Sequence, residues 1–188
     1  MDWNPRYLYQ KLFNGNSAAM ERFLHEIGFH DWNTEQDKGR PFVEGIAELC
    51  KRFPKYANLI NVYYERWEES VAGPIVETVE ILRLLKHKGY SLYGLSNWSA
   101  ETFHLVRSRY DFLNWFKAIV ISGEVKLVKP DPRIFEVLLQ RISNPAEKCL
   151  FIDDSEINIS VAREMGFNTI HYRSPEQLER ELSKRNLL

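Results

Sequence analysis

Hydrophobic residues recur at helical spacing through the first part of the chain. In the stretches 42–49 and 56–67 an apolar residue returns every three or four positions, which is typical of one face of an α-helix. Asn4 followed by Pro5 marks a helix start, because Asn caps a helix and Pro fits its first turn. Amphipathic helices bury their apolar faces against one another, so this half predicts a small helical unit.

The pattern changes after Gly89, where short apolar runs begin to alternate with helical segments. The runs are 90–95, 117–122, 149–153 and 168–172, and the helical segments include 131–142 and 156–166. This alternation predicts parallel β-α-β units. We therefore predict an α/β fold, a doubly wound parallel (Rossmann-like) sheet with a small α-helical cap domain. The predicted bounds are 6–74 for the cap and 75–188 for the core.

Composition and charge exclude several classes of protein. The 188 residues are 44% hydrophobic and 27% charged, with a net charge of -1, so nothing favours nucleic acid or an anionic membrane as partner. No apolar run approaches the ~20 residues of a membrane helix. Cys50 and Cys149 lie far apart and suggest no disulfide framework. We expect a cytoplasmic protein that is a monomer or a weak homodimer.

Polar side chains follow three of the predicted strands, at the end where α/β proteins bind ligands. Ser96 and Asn97 follow the first strand, Lys129 lies in the loop after the second, and Asp153 and Asp154 end the third. Adjacent carboxylates repel each other at a cost that rises with burial. Either a positively charged partner lies beside this acid pair, or the pair is solvated.

The chemistry of these strand ends favours phosphoryl transfer. Asp154, with Asp153 and Asn158 nearby, offers the hard oxygen ligands that suit Mg2+. Lys129 could neutralise phosphate oxygens, and the Ser96 hydroxyl could donate to the same anion. Each polar pair also has a plain alternative as the cap of the helix that follows it. Their joint occurrence in this order is what favours a ligand site.

Three segments resemble the motifs of a known family. SLYGLSNWSAETF (91–103), SGEVKLVKPDPRIFEVLL (122–139) and LFIDDSEINISVAREMGF (150–167) are similar to the second, third and fourth motifs of the haloacid dehalogenase-like (HAD) hydrolase superfamily, in the same order and spacing. The helical first half resembles the small α-helical cap of its phosphatase-like branch. The resemblance thus covers essentially the whole chain.

The resemblance implies a role for each polar residue at the strand ends. Ser96 would bind the transferring phosphoryl group, and Asn97 would contact phosphate or substrate. Lys129 would stabilise the charge of nucleophile and phosphate, Asp154 would ligate Mg2+, and Asp153 would support that site. The implied activity is that of a Mg2+-dependent phosphatase, which hydrolyses a small phosphorylated metabolite through an aspartyl-phosphate.

The first motif of the family is absent from this sequence. In relatives, an Asp-x-Asp-like stretch ends a central strand, between the strands that here end at Ser96 and Asp153, and supplies the nucleophile. It stands just before a segment that resembles residues 2–13, so residues 1–5 are read as the remnant that follows it. Asp2 is a poor substitute because no apolar strand precedes it. We expect the sequence to be shortened by a strand and its loop, ~10–15 residues.

Two other functions stay open. A 2-haloacid dehalogenase shares the fold and an aspartate nucleophile, but such relatives need no Mg2+ and usually lack the acid pair of Asp153 and Asp154. If Met1 is the true start, the chain would instead be a catalytically inactive binding protein. It would then either hold a phosphorylated ligand through Ser96 and Lys129 or present a cap surface to a partner.

Overall fold

The computed structural model describes residues 1–188, and its first part is helical. The helices are α1 (Pro5–Leu12), α2 (Ser17–Glu26), α3 (Phe29–Asp37), α4 (Phe42–Arg52) and α5 (Ala57–Glu65), with 3-10 turns at Pro54–Tyr56 and Trp67–Ser70. Asn4 caps α1 as predicted, since its side chain accepts a hydrogen bond from the Arg6 backbone N–H at 3.0 Å. Pro5 occupies the first position of this helix.

An aromatic core holds these helices together. The Tyr63 ring is buried and lies edge-on to Phe29 and Trp32, with ring centroids 5.0 and 5.8 Å away. Tyr9 stacks on the other side of Tyr63, and its hydroxyl donates to the Leu59 carbonyl at 3.2 Å. Such aromatic pairs add roughly 0.5–1.5 kcal/mol each beyond the area they bury. The apolar positions of the stretch 56–67 therefore face the core of the helical part.

A two-stranded ribbon connects the helical part to the rest of the chain. Strand β1 (Asp2–Trp3) pairs antiparallel with β2 (Val71–Gly73), which brings both ends of the helical part together. The Asn4 backbone N–H extends this contact by donating to the Ser70 carbonyl at 2.8 Å. Strands this short leave no periodicity in the sequence, so the ribbon was not predicted.

Four strands alternate with helices in the second part, as the sequence predicts. The elements are α6 (Val76–His87), β3 (Tyr93–Ser96), α7 (Ala100–Arg109), β4 (Ala118–Ile121), α8 (Ser122–Val125), α9 (Pro132–Ile142), β5 (Leu150–Asp153), α10 (Glu156–Glu164), β6 (Asn168–His171) and α11 (Pro175–Lys184), with 3-10 turns at Asp111–Trp115 and Ala146–Lys148. The one-turn helix α8 lies where the sequence predicts a loop. The α/β, Rossmann-like fold class is confirmed.

The strands form two parallel pairs instead of one continuous sheet. Strand β3 pairs with β4, and β5 pairs with β6, but no hydrogen-bonded ladder joins the pairs. Helices α6 and α11 pack on one face, where Ile81 and Leu178 meet Ile170. Helices α9 and α10 cover the other, where Phe135 contacts Phe151. The β5–β6 pair therefore lies between two helix layers, and the β3–β4 pair packs on the layer that contains α9.

No helix combines the length and the apolar character needed to cross a membrane. The division into a cap of residues 6–74 and a core of residues 75–188 stays a prediction.

Candidate functional site

Asp153, the last residue of β5, is a buried carboxylate whose two oxygens are both hydrogen-bonded. Oδ2 accepts from Lys129 Nζ at 2.6 Å, and Oδ1 accepts from the Ser155 backbone N–H at 3.0 Å and from Asn158 Nδ2 at 2.9 Å. The Asp153 and Lys129 side chains are only 6% and 10% exposed. The ion pair and its added hydrogen bonds offset the cost of burying the charge. Lys129 is thus the positive partner of Asp153, the buried member of the acid pair.

Lys129 also joins the ends of two strands. Its Nζ donates to the Leu95 carbonyl of β3 at 3.0 Å as well as to Asp153 of β5. Its backbone N–H donates to Asn97 Oδ1 at 2.8 Å, and its carbonyl accepts from Asn97 Nδ2 at 2.9 Å. Because one ammonium group contacts both β3 and β5, the carboxyl ends of these two strands lie next to each other.

Ser96, the last residue of β3, keeps a free hydroxyl. The residue is partly exposed, and its Oγ makes no hydrogen bond within the protein. The following helix α7 is capped by Ser99, whose Oγ accepts from the Glu101 backbone N–H at 3.2 Å. The alternative that Ser96 and Asn97 cap this helix is therefore wrong. The Asn97 side chain instead holds the backbone of Lys129.

Asp154 carries a free carboxylate directly after β5. The residue is exposed and its carboxylate makes no hydrogen bond, while its backbone carbonyl lies 3.0 Å from His171 Nε2. A carbonyl can only accept, so this contact requires the proton on Nε2. Helix α10 has Ser155 as its N-cap, without a side-chain cap bond. Neither aspartate is thus the N-cap residue of α10, although the Asp153 carboxylate binds the backbone N–H at the start of this helix.

Asp2, in strand β1, contacts helix α1 of the helical part. The Tyr7 hydroxyl lies 2.9 Å from both Asp2 carboxylate oxygens, and this hydrogen bond raises the pKa of Tyr7. Met1 lies close enough to the Asp2 and Asp154 carboxylates for a charge at its backbone nitrogen to interact with both. The first residue thus lies in the electrostatic range of the acid at the end of β5.

The side chains at the strand ends provide some of the ligands that a Mg2+ ion needs. No group of three or more His, Cys, Asp or Glu side chains is arranged to hold a metal ion. The Asp153 oxygens are already occupied, which leaves the exposed Asp154 carboxylate as a donor. Mg2+ is often bound by one or two carboxylates and completes its shell with phosphate oxygens and water. A single free carboxylate at the strand ends is compatible with that mode.

A contact between the helical part and the strand ends was missed from the sequence. Asp37, the last residue of α3, accepts from Asn33 Nδ2 at 3.1 Å, and its backbone carbonyl accepts from Ser122 Oγ at 2.5 Å. Ser122 Oγ in turn accepts from the Trp98 backbone N–H at 2.8 Å. Burial raises the pKa of Asp37 to about 7, although hydrogen bonds from the Ser99 backbone and Asn33 oppose the shift.

Two glycines allow the backbones to approach closely at this contact. A Cβ on Gly39 would lie 2.7 Å from the Gly123 carbonyl oxygen, and a Cβ on Gly123 would collide with the Ala100 backbone nitrogen. Contacts this short force backbone to move, since no flexible side-chain end can yield. Gly123 in particular packs between the helical part and the start of α7.

We expect Gly123→Ala to lower the free energy of unfolding by roughly 1–3 kcal/mol, because overpacking shifts well-packed backbone. Urea unfolding measures the change. The control is Ser160→Ala on the exposed side of α10, which is expected to stay within about 0.5 kcal/mol of the parent. A Gly123→Ala protein as stable as the control would contradict the close approach.

The family of the chain follows from its match to known proteins. Residues 12–172 match the family model of the haloacid dehalogenase-like hydrolases. The chain belongs to this family, and the resemblance seen in its three motifs is confirmed. It spans half or less of the length of the curated relatives it matches.

The relatives include enzymes with different activities. A sesquiterpene phosphatase of Aspergillus oryzae is 30% identical over 98 residues, which are 52% of this chain and 50% of that protein. An (S)-2-haloacid dehalogenase of Pseudomonas putida is also 30% identical over 95 residues, covering 50% and 41% of the two chains. These relatives therefore leave the reaction of this chain open.

A solved structure matches most of the chain. A HAD family enzyme of Bacteroides thetaiotaomicron, in complex with magnesium and inorganic phosphate, is 25% identical with a TM-score of 0.62. The match covers 89% of this chain and 85% of that one. The α/β architecture described above is thus that of a HAD family enzyme.

Proposed function

We propose that this protein is a Mg2+-dependent phosphatase that hydrolyses a small phosphate monoester through an aspartyl-phosphate. The observation that carries the proposal is the position of Lys129 Nζ between the Leu95 carbonyl and Asp153. The free Ser96 hydroxyl and the free Asp154 carboxylate end the same neighbouring strands. Positioning and charge neutralisation are most of what phosphoryl transfer requires.

Lys129 would stabilise the charge of phosphate and nucleophile. An ammonium group has three N–H donors. Two of them serve Leu95 and Asp153, which hold Nζ in place, so one remains for an incoming oxygen. The Ser96 hydroxyl would donate to the same phosphoryl group, and Asn97 would contact phosphate or substrate beside it.

Mg2+ would be held by Asp154, with Asp153 in a supporting role. The ion would supply positive charge opposite the phosphate. Asp153 would act indirectly, because its oxygens fix Lys129 and the first turn of α10. The magnesium and phosphate complex of the Bacteroides enzyme supports this assignment for a member of the same family.

The nucleophilic aspartate would be carried by a further strand between β3 and β5. Each of these strands is paired along one edge only. Four of their apolar residues stay partly exposed although helices cover both faces: Tyr93, Leu95, Leu150 and Ile152. Unpaired buried backbone groups cost ~1–3 kcal/mol each, so another strand here would be favourable. Its end would meet Lys129 and Asp154.

The helical part would close over the phosphate and select the substrate. It is connected through the β1–β2 ribbon and contacts the strand ends through Asp37 and Ser122. Closure of such a cap excludes water from the first chemical step. The sesquiterpene phosphatase among the relatives supports a phosphorylated metabolite as the class of substrate.

We expect Asp154→Ala to lower phosphate release at least tenfold, since even residues that only support a metal ligand typically contribute about 10–100-fold. The assay uses the protein expressed from its complete reading frame, with Mg2+ and a panel of sugar and nucleotide monophosphates. EDTA is expected to abolish release from the parent protein.

The matched control is Glu156→Ala, which removes an exposed acid two residues further on and is expected to keep parental activity. Equal activity of the Asp154→Ala and parent proteins would overturn the metal assignment. Phosphate binding without turnover across the whole panel would instead favour the inactive binding protein.

A further inference from the structure

The hydroxyl of Ser122, the first residue of α8, contacts both the helical part and the loop 96–99 at the end of β3. Its Oγ donates to the backbone carbonyl of Asp37, the last residue of α3, at 2.5 Å. The same Oγ accepts from the Trp98 backbone N–H at 2.8 Å. Ser122 is fully buried, so bulk water does not replace either partner. One hydroxyl therefore joins the two parts of the chain.

The Ser122 hydroxyl has one proton and two carbonyl oxygens within reach. The Trp98 carbonyl lies 3.3 Å from Oγ, which is longer than the contact with the Asp37 carbonyl. A hydroxyl donates only one hydrogen bond, and the shorter contact has the better distance for it. The Trp98 carbonyl already accepts from the Gly123 backbone N–H at 3.1 Å. If the Asp37 carbonyl moves away, the proton of Ser122 has a second acceptor in the loop.

The loop is bound to Lys129 on its other side. The Asn97 side chain makes two hydrogen bonds to the backbone of Lys129, at 2.8 and 2.9 Å. Trp98 is the next residue, so the position of its backbone limits the position of Asn97. Lys129 Nζ in turn donates to the Leu95 carbonyl and to Asp153. A continuous series of hydrogen bonds thus leads from the end of α3 to the strand ends.

The turn between α3 and α4 is bound to the rest of the chain at both of its ends. Ser122 donates to the last carbonyl of α3, and Glu101 Oε1 accepts from the Phe42 backbone N–H at the start of α4, at 3.0 Å. Donors at a helix C-terminus and acceptors at an N-terminus are what free helix ends require. Between these bonds, Gly39 lies directly against the Gly123 carbonyl. The helical part therefore has a defined position on the loop.

A second contact between the helical part and the loop is apolar. The Trp98 ring lies edge-on to Trp67, with centroids 5.9 Å apart, and its Nε1 donates to Thr102 Oγ1 at 3.1 Å. Apolar contacts are not directional, whereas a hydrogen bond weakens steeply as its angle closes. The hydroxyl of Ser122 is therefore the contact that depends most on the exact position of the helical part.

We propose that Ser122 is a positioning residue through which the position of the helical part determines the position of the loop 96–99. When the Asp37 carbonyl withdraws, the proton of Ser122 turns to the Trp98 carbonyl, and the backbone of the loop loses its support from the helical part. The loop begins with two of the proposed phosphate-binding residues. The inference thus deepens the proposed function, and only the link to phosphate binding rests on it.

Hydrogen exchange of single backbone amides, measured by NMR without metal or phosphate, tests the link itself. Ser122→Ala is expected to speed exchange of the Trp98 amide about fivefold, because its acceptor is lost. Gly39→Ala acts from the helical part, since its Cβ would lie 2.7 Å from the Gly123 carbonyl oxygen and push the turn away. It is expected to speed exchange of the same amide roughly twofold or more. In a Ser122→Ala background, Gly39→Ala should add nothing.

The matched control is Ser70→Ala, which makes the same chemical change at another fully buried serine whose hydroxyl has no hydrogen-bond partner. It is expected to keep the parental exchange of the Trp98 amide. A Gly39→Ala effect of the same size with and without Ser122 would overturn the proposal. If Gly39→Ala does not fold, Ser122→Ala decides, and parental exchange of its Trp98 amide would overturn the proposal as well.

Kinetics test the link to phosphate binding in the protein expressed from its complete reading frame. Ser122→Ala is expected to raise KM for a phosphate monoester roughly three- to tenfold, because the binding groups of the loop lose their alignment. A merely structural loss would reduce the folded fraction, which lowers kcat and leaves KM unchanged. An unchanged KM in an active protein would contradict the link to phosphate binding. Faster Trp98 exchange without turnover by the parent protein would support the link through Ser122 and contradict the proposed function instead.

Discussion

Replacement of Lys129 by methionine is expected to destabilise the fold by roughly 3–5 kcal/mol. The substitution removes the partner of Asp153 and leaves a carboxylate buried at 6% exposure without a counter-ion. Breaking one side of a buried ion pair costs this much because the remaining charge stays desolvated. It also frees the Leu95 carbonyl, which accepts from Lys129 Nζ. Urea unfolding at neutral pH measures the loss.

The double variant Lys129→Met/Asp153→Asn tests whether the two residues stabilise the fold as a pair, because it removes both buried charges together. Without the buried charge, the double variant is expected to lose less stability than the sum of the two single variants. The amide oxygen introduced by Asp153→Asn would still accept from the Ser155 backbone N–H. If the stability lost by the double variant equals the sum of the losses of the two single variants, Lys129 and Asp153 do not act as a pair.

At pH 8, Asp37→Asn is expected to raise the free energy of unfolding above that of the parent protein. The difference between the two proteins should be roughly 2–4 kcal/mol larger at pH 8 than at pH 4. The Asp37 carboxyl group titrates near 3.8 when unfolded and has a pKa of about 7 when folded. Between these values the folded state retains a proton that the unfolded state has lost. Stability contributed by the neutral acid is therefore lost as pH rises through the folded pKa.

Urea unfolding of both proteins at several pH values checks this, with the difference between them as the readout, since shared titrations then cancel. Asp31→Asn serves as the control, because it removes the same charge from an exposed position on the same helix, and it is expected to follow the parent protein at every pH. A constant difference between parent and Asp37→Asn from pH 4 to 8 would show that the carboxyl group titrates normally.

Much of the fold was predictable because apolar periodicity reports burial directly. The alternation after Gly89 predicted β3 to β6 and the parallel arrangement, and Asn4 with Pro5 predicted the start of α1. The β1–β2 ribbon was not predictable, since its strands have two and three residues. Helix α8 has only four residues, too few for a periodic signal.

The site was predictable in outline because parallel strands bring their carboxyl ends to one edge. That rule alone gathered Ser96, Lys129 and Asp153. It could not assign the partners of each oxygen, such as the pairing of Asn97 with the backbone of Lys129, 32 residues further along the chain. Asp37 carries no signal in the sequence, because its burial arises from contacts between distant segments.

Several predictions stay predictions. They concern the location in the cell, the monomeric or weakly dimeric state, and the independence from nucleic acid and membranes. The roles of Ser96, Asn97, Lys129, Asp153 and Asp154 await the experiments above.

The most direct measurement compares phosphate and halide release by one preparation of the protein expressed from its complete reading frame. Phosphate monoesters and 2-haloacids are supplied separately, each with Mg2+ and with EDTA. The account predicts phosphate release that needs Mg2+ and no halide release under either condition. Halide release that persists in EDTA, without phosphate release, would contradict it and identify a dehalogenase.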